Sequence, residues 1–197
     1  MTLPEQVGVM VLPQTVFFPH HLLPLHIFEP RYREMLKQAL GGSRMFVVAM
    51  EDPHRPASRV GGLGLIRSCV QQPDGTSNLI LQGLTRVKID HLIQTRPYVI
   101  AAPEPLEDPL PTPPSDTVVR DALAAKILEH LDRLEIPAEA GLGEMKKFLR
   151  HLEDHHALVD LVAGCFLRDP GSRQKLLETA CLTERLRLLC QKISEIK

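Results

Sequence analysis

Six prolines crowd the middle of this 197-residue chain, between positions 103 and 114. Proline has no backbone N–H and a fixed φ, which exclude it from helix interiors and central strands, so the segment predicts an extended, semi-rigid linker. Across the linker, the sequence changes from short apolar runs with turn residues to long stretches with helical spacing. The sequence therefore predicts an α+β fold, with a β-rich part at residues 1–102, a linker at 103–115 and a helical part at 116–197.

The first part contains apolar runs of strand length separated by turn residues. An Asp74-Gly75 pair predicts the turn of a hairpin over residues 62–82, because glycine readily takes positive φ. Residues 85–90 alternate between apolar and charged side chains, a pattern typical of a half-buried strand. Further strands are predicted at residues 7–12, 45–50 and 98–102.

The last part carries apolar residues at helical spacing. The first helix is predicted to begin with Ser115 or Asp116 as its cap and to reach about residue 135. Two more apolar helical faces follow, at residues 145–152 and 158–166. Ser172 and Thr183 are the predicted caps of the last two helices.

The overall charge excludes some classes of partner. The chain has 23 basic and 24 acidic residues, so its formal charge of −1 gives no general attraction to nucleic acids or anionic membranes. The four cysteines lack the spacing of a zinc site or a redox pair and are expected to be reduced thiols. No signal peptide is recognisable, and no apolar run approaches the roughly 20 residues that span a bilayer. We expect a cytoplasmic protein with no cofactor and no membrane partner.

The stretch from Leu22 to Arg33 is the most specific motif. An extended apolar segment turns abruptly into a helix, and Pro30 suits the first turn because its missing N–H would have no helical partner. Gly41-Gly42 is expected to end that helix. The motif strongly resembles the opening of a LON domain, the N-terminal substrate-recognition domain of the Lon family of ATP-dependent proteases.

Two later blocks carry the same resemblance. Residues 61–89 are similar to the family's second block, in which a strand, a D-G turn and a return strand lead to a G-x-x-R motif, here Gly83 and Arg86. Residues 160–186 resemble the closing helices. The resemblance covers about residues 7–196 and implies a compact, PUA-like β-rich subdomain with one helix, followed by an α-helical bundle.

The resemblance implies a non-catalytic recognition module. Such a module holds unfolded or extended polypeptide, or a protein partner, and can act as an adaptor in proteolysis or quality control. The chain has no G-x-x-x-x-G-K-[ST] loop, and no protease dyad can be assigned in it. We therefore expect a stand-alone domain without catalytic residues. The sequence does not identify the bound polypeptide. A weak homo-oligomer is a further interpretation.

The candidate binding residues are apolar and lie before the motif helix: Phe17, Phe18, Leu22, Leu23 and Pro24. If exposed, they would recognise an extended peptide in an apolar groove beside an edge strand; if buried, they belong to the core. The remaining motif residues are expected to hold the fold together, and we expect Glu29 or a neighbouring carbonyl to contact Arg86. These structural residues are Glu29, Pro30, Arg31, Asp74, Gly75, Gly83 and Arg86.

Histidines raise the alternative of a metal site. His151 and His155 are four residues apart and would share a face of a continuous helix, with His156 adjacent. An exposed helix junction with Asp154 as N-cap is the favoured interpretation, so no metal site is assigned. His26 alternates with apolar neighbours and is predicted to be buried.

Basic side chains in the β-rich part raise a second alternative, RNA or nucleotide binding through the PUA-like sheet. The candidates are Arg59, Arg67, Arg86, Lys88 and Arg96. Acidic residues are interleaved with them, and the net charge is near zero, so a solvated mixed face is favoured and nucleic acid is not an expected partner.

Overall fold

A computed structural model describes residues 2–54, 57–109, 114–134 and 142–196. The chain divides into two compact units, Met1–Leu106 and Glu107–Lys197. In the described parts, the first unit is a six-stranded mixed sheet with one helix, and the second is made of helices. This is the α+β class that the sequence predicts. None of the helices in the described ranges is long and apolar enough to cross a membrane.

The first unit is built around a closed ring of strands. Its elements are β1 (Val7–Leu12), β2 (Leu22–Ile27), α1 (Pro30–Gly41), β3 (Met45–Met50), β4 (Val60–Gln71), β5 (Ser77–Gln94) and β6 (Val99–Pro105). The strand order is β2-β5-β4-β3-β1-β6, and β5 also pairs with β6. Five strands therefore close into a barrel, while β2 is attached to β5 outside the ring.

One long strand, β5, contains both the return strand of the hairpin predicted over residues 62–82 and the separate strand predicted at residues 85–90. The register against β4 shifts between Leu63 and Gly64, which pair with Thr85 and Gly83, so Leu84 is an extra residue on β5. A bulge of this kind bends a strand and increases its twist. The bend lets the first half of β5 pair with β2 and the second half with β6.

The last strand also differs from the sequence-based expectation. β6 continues through Pro105, where the sequence predicted that the linker had begun. Pro105 lies opposite Val87 at the end of the β5–β6 pairing, a position where a missing N–H costs little. The next helix begins at Pro114, inside the predicted linker, because proline is tolerated at the start of a helix.

Helix α1 packs one face on the sheet. Tyr32, Met35 and Leu36 are buried there, as their helical spacing predicts. The Tyr32 hydroxyl donates to the Val11 carbonyl at 2.8 Å and accepts from the Val11 amide at 3.1 Å. Burial raises the pKa of Tyr32, so the phenol stays protonated and the helix is fixed to β1.

The second unit contains α2 (Pro114–Arg133), α3 (Leu142–Arg150), α4 (His155–Phe166), α5 (Pro170–Glu178) and α6 (Leu182–Ser194). Asp154 caps α4 as predicted, accepting from the amides of His156 and Ala157. Three other predicted caps are wrong, and for the first of them Ser115 and Asp116 lie inside α2, which begins at Pro114. Asp169, not Ser172, caps α5, because its carboxylate accepts from the Ser172 amide at 2.7 Å.

Helix α6 receives its N-terminal cap from another segment. The amide of Leu182 donates to the Asp108 carboxylate at 2.8 Å, while the predicted cap, Thr183, instead accepts from Arg120 Nε at 2.9 Å. The same unit contains a fully buried ion pair between Arg185 and Asp160, and Arg185 Nε also donates to the Leu176 carbonyl at 3.0 Å. The pair therefore links α4, α5 and α6.

Candidate functional site

A three-stranded extension of the barrel exposes one face to solvent. In its register, Pro24 of β2 lies opposite Ile80 of β5, which lies opposite Ser68 of β4. Side chains alternate along a strand, so residues that lie two positions from these three and keep the same register also lie on this face. We call it the open face and define it by Leu22, Pro24, His26, Ser68, Val70, Asn78 and Ile80.

The open face is accessible and carries apolar side chains beside polar ones. Leu22 is 64% exposed and Val70 is 60% exposed, and a shallow groove of about 480 Å³ crosses the middle of the face. His26 Nδ1 lies 2.8 Å from Asn78 Oδ1, and the His26 ring stacks on Phe28 with centroids 5.9 Å apart. Phe28 is itself 60% exposed, so it extends the apolar surface beyond the end of β2.

The other face of β2 belongs to the core. Ile27 is buried, and Leu23 and Leu25 are half-buried against the apolar cluster beneath α1. The segment therefore alternates strictly between exposed and covered side chains. His26 falls on the exposed side, so the prediction that it is buried is wrong.

Strand β2 is an edge strand in the part of the chain that the structure describes. It pairs with β5 on one side, and no described strand pairs with its other side. A free edge presents unpaired backbone N–H and C=O groups to solvent. Proline is tolerated on such a strand with its nitrogen turned outward, which accounts for Pro24.

Three of the five predicted binding residues do not reach this surface, and one of them, Leu23, lies on the covered face of β2. Phe17 and Phe18 are only 3% and 1% exposed, so they belong to the core and cannot form an apolar patch. Their backbone lies directly against the barrel. A Cβ atom at Gly62 would collide with the Phe17 carbonyl, and one at Gly83 would collide with the Phe18 carbonyl.

Hydrogen bonds hold the same loop on the bulge in β5. The His20 amide donates to the Gly83 carbonyl at 3.0 Å, and the Gly83 amide donates to the His21 carbonyl at 2.8 Å. The first residue of the G-x-x-R motif is thus needed for close approach of two backbone segments. Arg86 is buried, and its carbonyl accepts from the Leu106 amide at 3.2 Å.

The D-G turn closes the hairpin at the far end of the extension. Gly75 has a φ of +81°, and its amide donates to the Gln72 carbonyl at 2.9 Å. The Asp74 carboxylate accepts from the Thr76 amide at 2.9 Å and from the Thr76 hydroxyl at 2.8 Å. These hydrogen bonds hold the pKa of Asp74 below its usual range.

The Glu29-Pro30-Arg31 motif starts α1. The Glu29 carbonyl accepts from the amides of Tyr32 and Arg33, while its carboxylate pairs with Arg31 at 2.8 Å. The Arg31 guanidinium lies 4.5 Å from the centre of the Tyr32 ring. The proposed contact of Glu29 with Arg86 stays a prediction.

The three histidines of the metal alternative do not lie on one continuous helix. His151 follows the end of α3 with Nδ1 2.9 Å from the Lys147 carbonyl, whereas His155 and His156 begin α4. His155 Nε2 lies 3.5 Å from Asp121 and His156 Nε2 lies 3.5 Å from Asp108. No group of three or more potential metal ligands occurs among the described residues.

Three of the five basic candidates of the barrel are hydrogen-bonded, ion-paired or buried. Arg59 pairs with Asp90 at 3.6 Å, Arg67 donates to Gln82, and Arg86 is buried. These contacts do not favour the nucleic-acid alternative.

The comparisons with known proteins agree with one another. A family model described as the ATP-dependent protease La (LON) substrate-binding domain matches residues 6–195. Lon protease from Dictyoglomus thermophilum is 26% identical over 93% of this chain, and Lon protease 2 from Herpetosiphon aurantiacus is 30% identical over 96%. In both cases the chain spans only 24% of the relative's length.

Two solved structures share the fold. The N-terminal domain of Mycobacterium avium complex Lon protease superposes with a TM-score of 0.76 and 20% identity, over 98% of this chain and all of that one. A Lon N-terminal domain protein from Xanthomonas campestris gives a TM-score of 0.63 and 18% identity, over 93% and 96% of the two chains.

Proposed function

The chain belongs to the LON substrate-binding domain family, and from this membership we propose that it is a non-catalytic module that recognises extended or unfolded polypeptide. We place its binding site at the free edge of β2 and on the adjoining open face. The observation that carries this proposal is the coincidence of an unpaired strand edge with exposed apolar side chains on the same strand, above all Leu22.

The binding mode would be strand addition. An extended peptide pairs its backbone with the outer edge of β2, and every second side chain then falls on the side of the open face. Leu22 and Phe28 offer apolar surface to these side chains, and Val70 lies two strands further in on the same face. Backbone pairing tolerates many sequences, whereas the apolar surface selects segments that a folded protein would bury.

Pro24 limits the strength of this contact. It contributes no N–H, so a bound peptide finds fewer donors along the edge than an uninterrupted strand would give it. The groove beside it is shallow and open, so little of a ligand's surface would be buried. We expect dissociation constants around the micromolar range, which suit a module that must release its client.

The family match extends the proposal to a biological setting. Because the related proteins are named as Lon proteases, we propose that the bound segment is passed on for proteolysis or quality control. In this setting the present chain supplies recognition rather than hydrolysis. A folded protein partner that offers its own edge strand would use the same surface.

Substitution of Leu22 tests the site. Leu22→Asp places a charge on the open face without removing a core contact, because the side chain is 64% exposed. We expect at least about ten-fold weaker binding of a reduced and alkylated, permanently unfolded protein, measured by fluorescence anisotropy. Val118→Asp is the matched control, since Val118 is 71% exposed on α2 in the other unit. Equal binding by wild type and Leu22→Asp would refute the site.

A further inference from the structure

A second groove lies on the opposite side of the hairpin from the open face. It runs between α1 and the ends of β4 and β5 and has a volume of about 790 Å³. Cys69, Gln71 and Ser77 line it, and they alternate along their strands with Val70 and Asn78 of the open face. The two grooves therefore do not share these side chains.

The rim of this groove carries three cations, Arg33, Lys37 and Arg44, and we call it the basic groove. All three are exposed. Among the residues that the structure describes, none of them forms an ion pair, and Asp74 of the adjoining turn is near enough to interact electrostatically with Arg33. Glu34 is the one acidic residue in the lining, so the lining residues sum to a charge of about +2 within a chain of formal charge −1.

Two of these cations lie against neighbouring backbone, and one of them, Arg44, is also hydrogen-bonded to it. Arg33 lies over the D-G turn, where a Cβ atom at Gly75 would collide with its guanidinium, so glycine makes room for it. Arg44 has a φ of +59°, its amide donates to the Ala39 carbonyl at 2.9 Å, and its guanidinium donates to the Ile66 carbonyl at 3.3 Å. Cations that are held in place lose less side-chain entropy when an anion binds.

The floor of the groove is apolar. Leu36 is buried, and Leu40 and Cys69 are half-buried between the cations. A floor of this kind suits the aliphatic stems and backbone of a peptide rather than a bare inorganic anion.

We propose that the basic groove binds an acidic polypeptide segment, with its carboxylates paired to Arg33, Lys37 and Arg44 and its aliphatic groups on Leu40 and Cys69. Charge complementarity identifies this occupant. The proposal does not depend on strand addition at β2, because the open face and the basic groove lie on opposite sides of the hairpin. A client would be held at both surfaces if it had an apolar segment and an acidic segment.

Charge reversal tests this second site. The probe is a labelled peptide in which glutamate alternates with alanine, and its counterpart has lysine in place of glutamate. We expect the acidic peptide to bind, the basic one not to bind, and binding to weaken as salt is raised. Lys37→Glu should weaken the acidic peptide about five-fold, and Arg33→Glu combined with Lys37→Glu should weaken it more than ten-fold.

Two controls separate the outcomes. Lys88→Glu changes the same charge elsewhere on the barrel and should leave the affinity unchanged. Thermal unfolding of each variant checks that the unit is intact, and Lys37→Glu keeps the test valid if Arg33→Glu disturbs the turn. Equal loss from Lys88→Glu, or stronger binding of polyphosphate than of the acidic peptide, would overturn the proposal.

Discussion

Pro24 on the edge strand β2 lies directly opposite Ile80 on β5, in the centre of the open face. Its position explains how the domain can expose both an apolar face and a strand edge. Prolines on edge strands turn the nitrogen outward, so the residue removes one donor from the free edge. Natural proteins use this device to keep edge strands from pairing with copies of themselves.

Replacement of Pro24 should therefore change self-association. Pro24→Val adds an N–H to the edge and a side chain that favours β-structure. We expect the variant to form dimers or larger assemblies at concentrations where the wild type shows less association, measured by sedimentation velocity. Adding Leu22→Asp to the variant should reverse the effect. Unchanged sedimentation of Pro24→Val would contradict this role for the proline.

Gly83 should not tolerate even a methyl group. A Cβ atom there would collide with the Phe18 carbonyl, and backbone cannot move aside as a flexible side chain can. We expect Gly83→Ala to lower the free energy of unfolding by about 2–4 kcal/mol in urea denaturation. Gly41→Ala is the control, because nothing lies within 4 Å of a Cβ at that position. Comparable stability of the two variants would show that the loop is not held as described.

The buried pair of Arg185 and Asp160 should respond asymmetrically to substitution. Asp160→Asn leaves the Arg185 guanidinium buried without its counter-charge, at a cost of about 3–5 kcal/mol in the unfolding free energy of the helical unit. Asp160→Leu combined with Arg185→Met removes both charges and should recover much of that loss. A double-mutant cycle followed by circular dichroism measures the coupling. Additive losses would mean that the two charges do not interact.

The D-G turn should depend on pH through Asp74. Its pKa is lowered because the Thr76 amide and hydroxyl donate to the ionised carboxylate. A lowered pKa means that the contribution to stability is present above the ordinary value for aspartate and is lost as the pH falls through the folded value.

A titration followed by NMR checks this. We expect the Thr76 amide resonance to shift below pH of about 4, with a midpoint under that of a free aspartate. Asp74→Asn keeps the acceptor oxygen but cannot titrate, so the shift should vanish in that variant. A midpoint at or above the ordinary value would show that the turn does not stabilise the carboxylate.

Local patterns were enough to predict most of the elements of the first unit. The alternation in residues 85–90 and the Asp74-Gly75 turn identify parts of β5 and its hairpin, since both signals depend only on neighbours in the chain. The joining of two predicted strands into β5 was not visible, because the bulge at Leu84 arises from pairing with β4. Caps were the weakest predictions for the helices, since Asp108 caps α6 from a distant part of the chain.

The candidate site could be predicted only in part. Leu22 and Pro24 were identified as apolar residues with little polar cover, but Phe17 and Phe18 had the same appearance in the sequence and are buried. Their burial depends on Gly62 and Gly83, which let the loop approach the barrel. Val70 was missed because it reaches the open face only through the register of β4 with β5. The alternation from Leu22 to Ile27 was the sequence signal that could have separated exposed from buried residues.

The most direct test of strand addition at β2 uses an extended peptide with apolar residues at alternate positions, which fixes the face it presents. Two versions carry N-methyl groups, one on the odd residues and one on the even residues. Strand pairing uses the N–H groups of every second residue, so one version should lose binding and the other should keep the affinity of the unmodified peptide. Equal affinity of the two N-methylated versions, measured by anisotropy, would contradict strand addition.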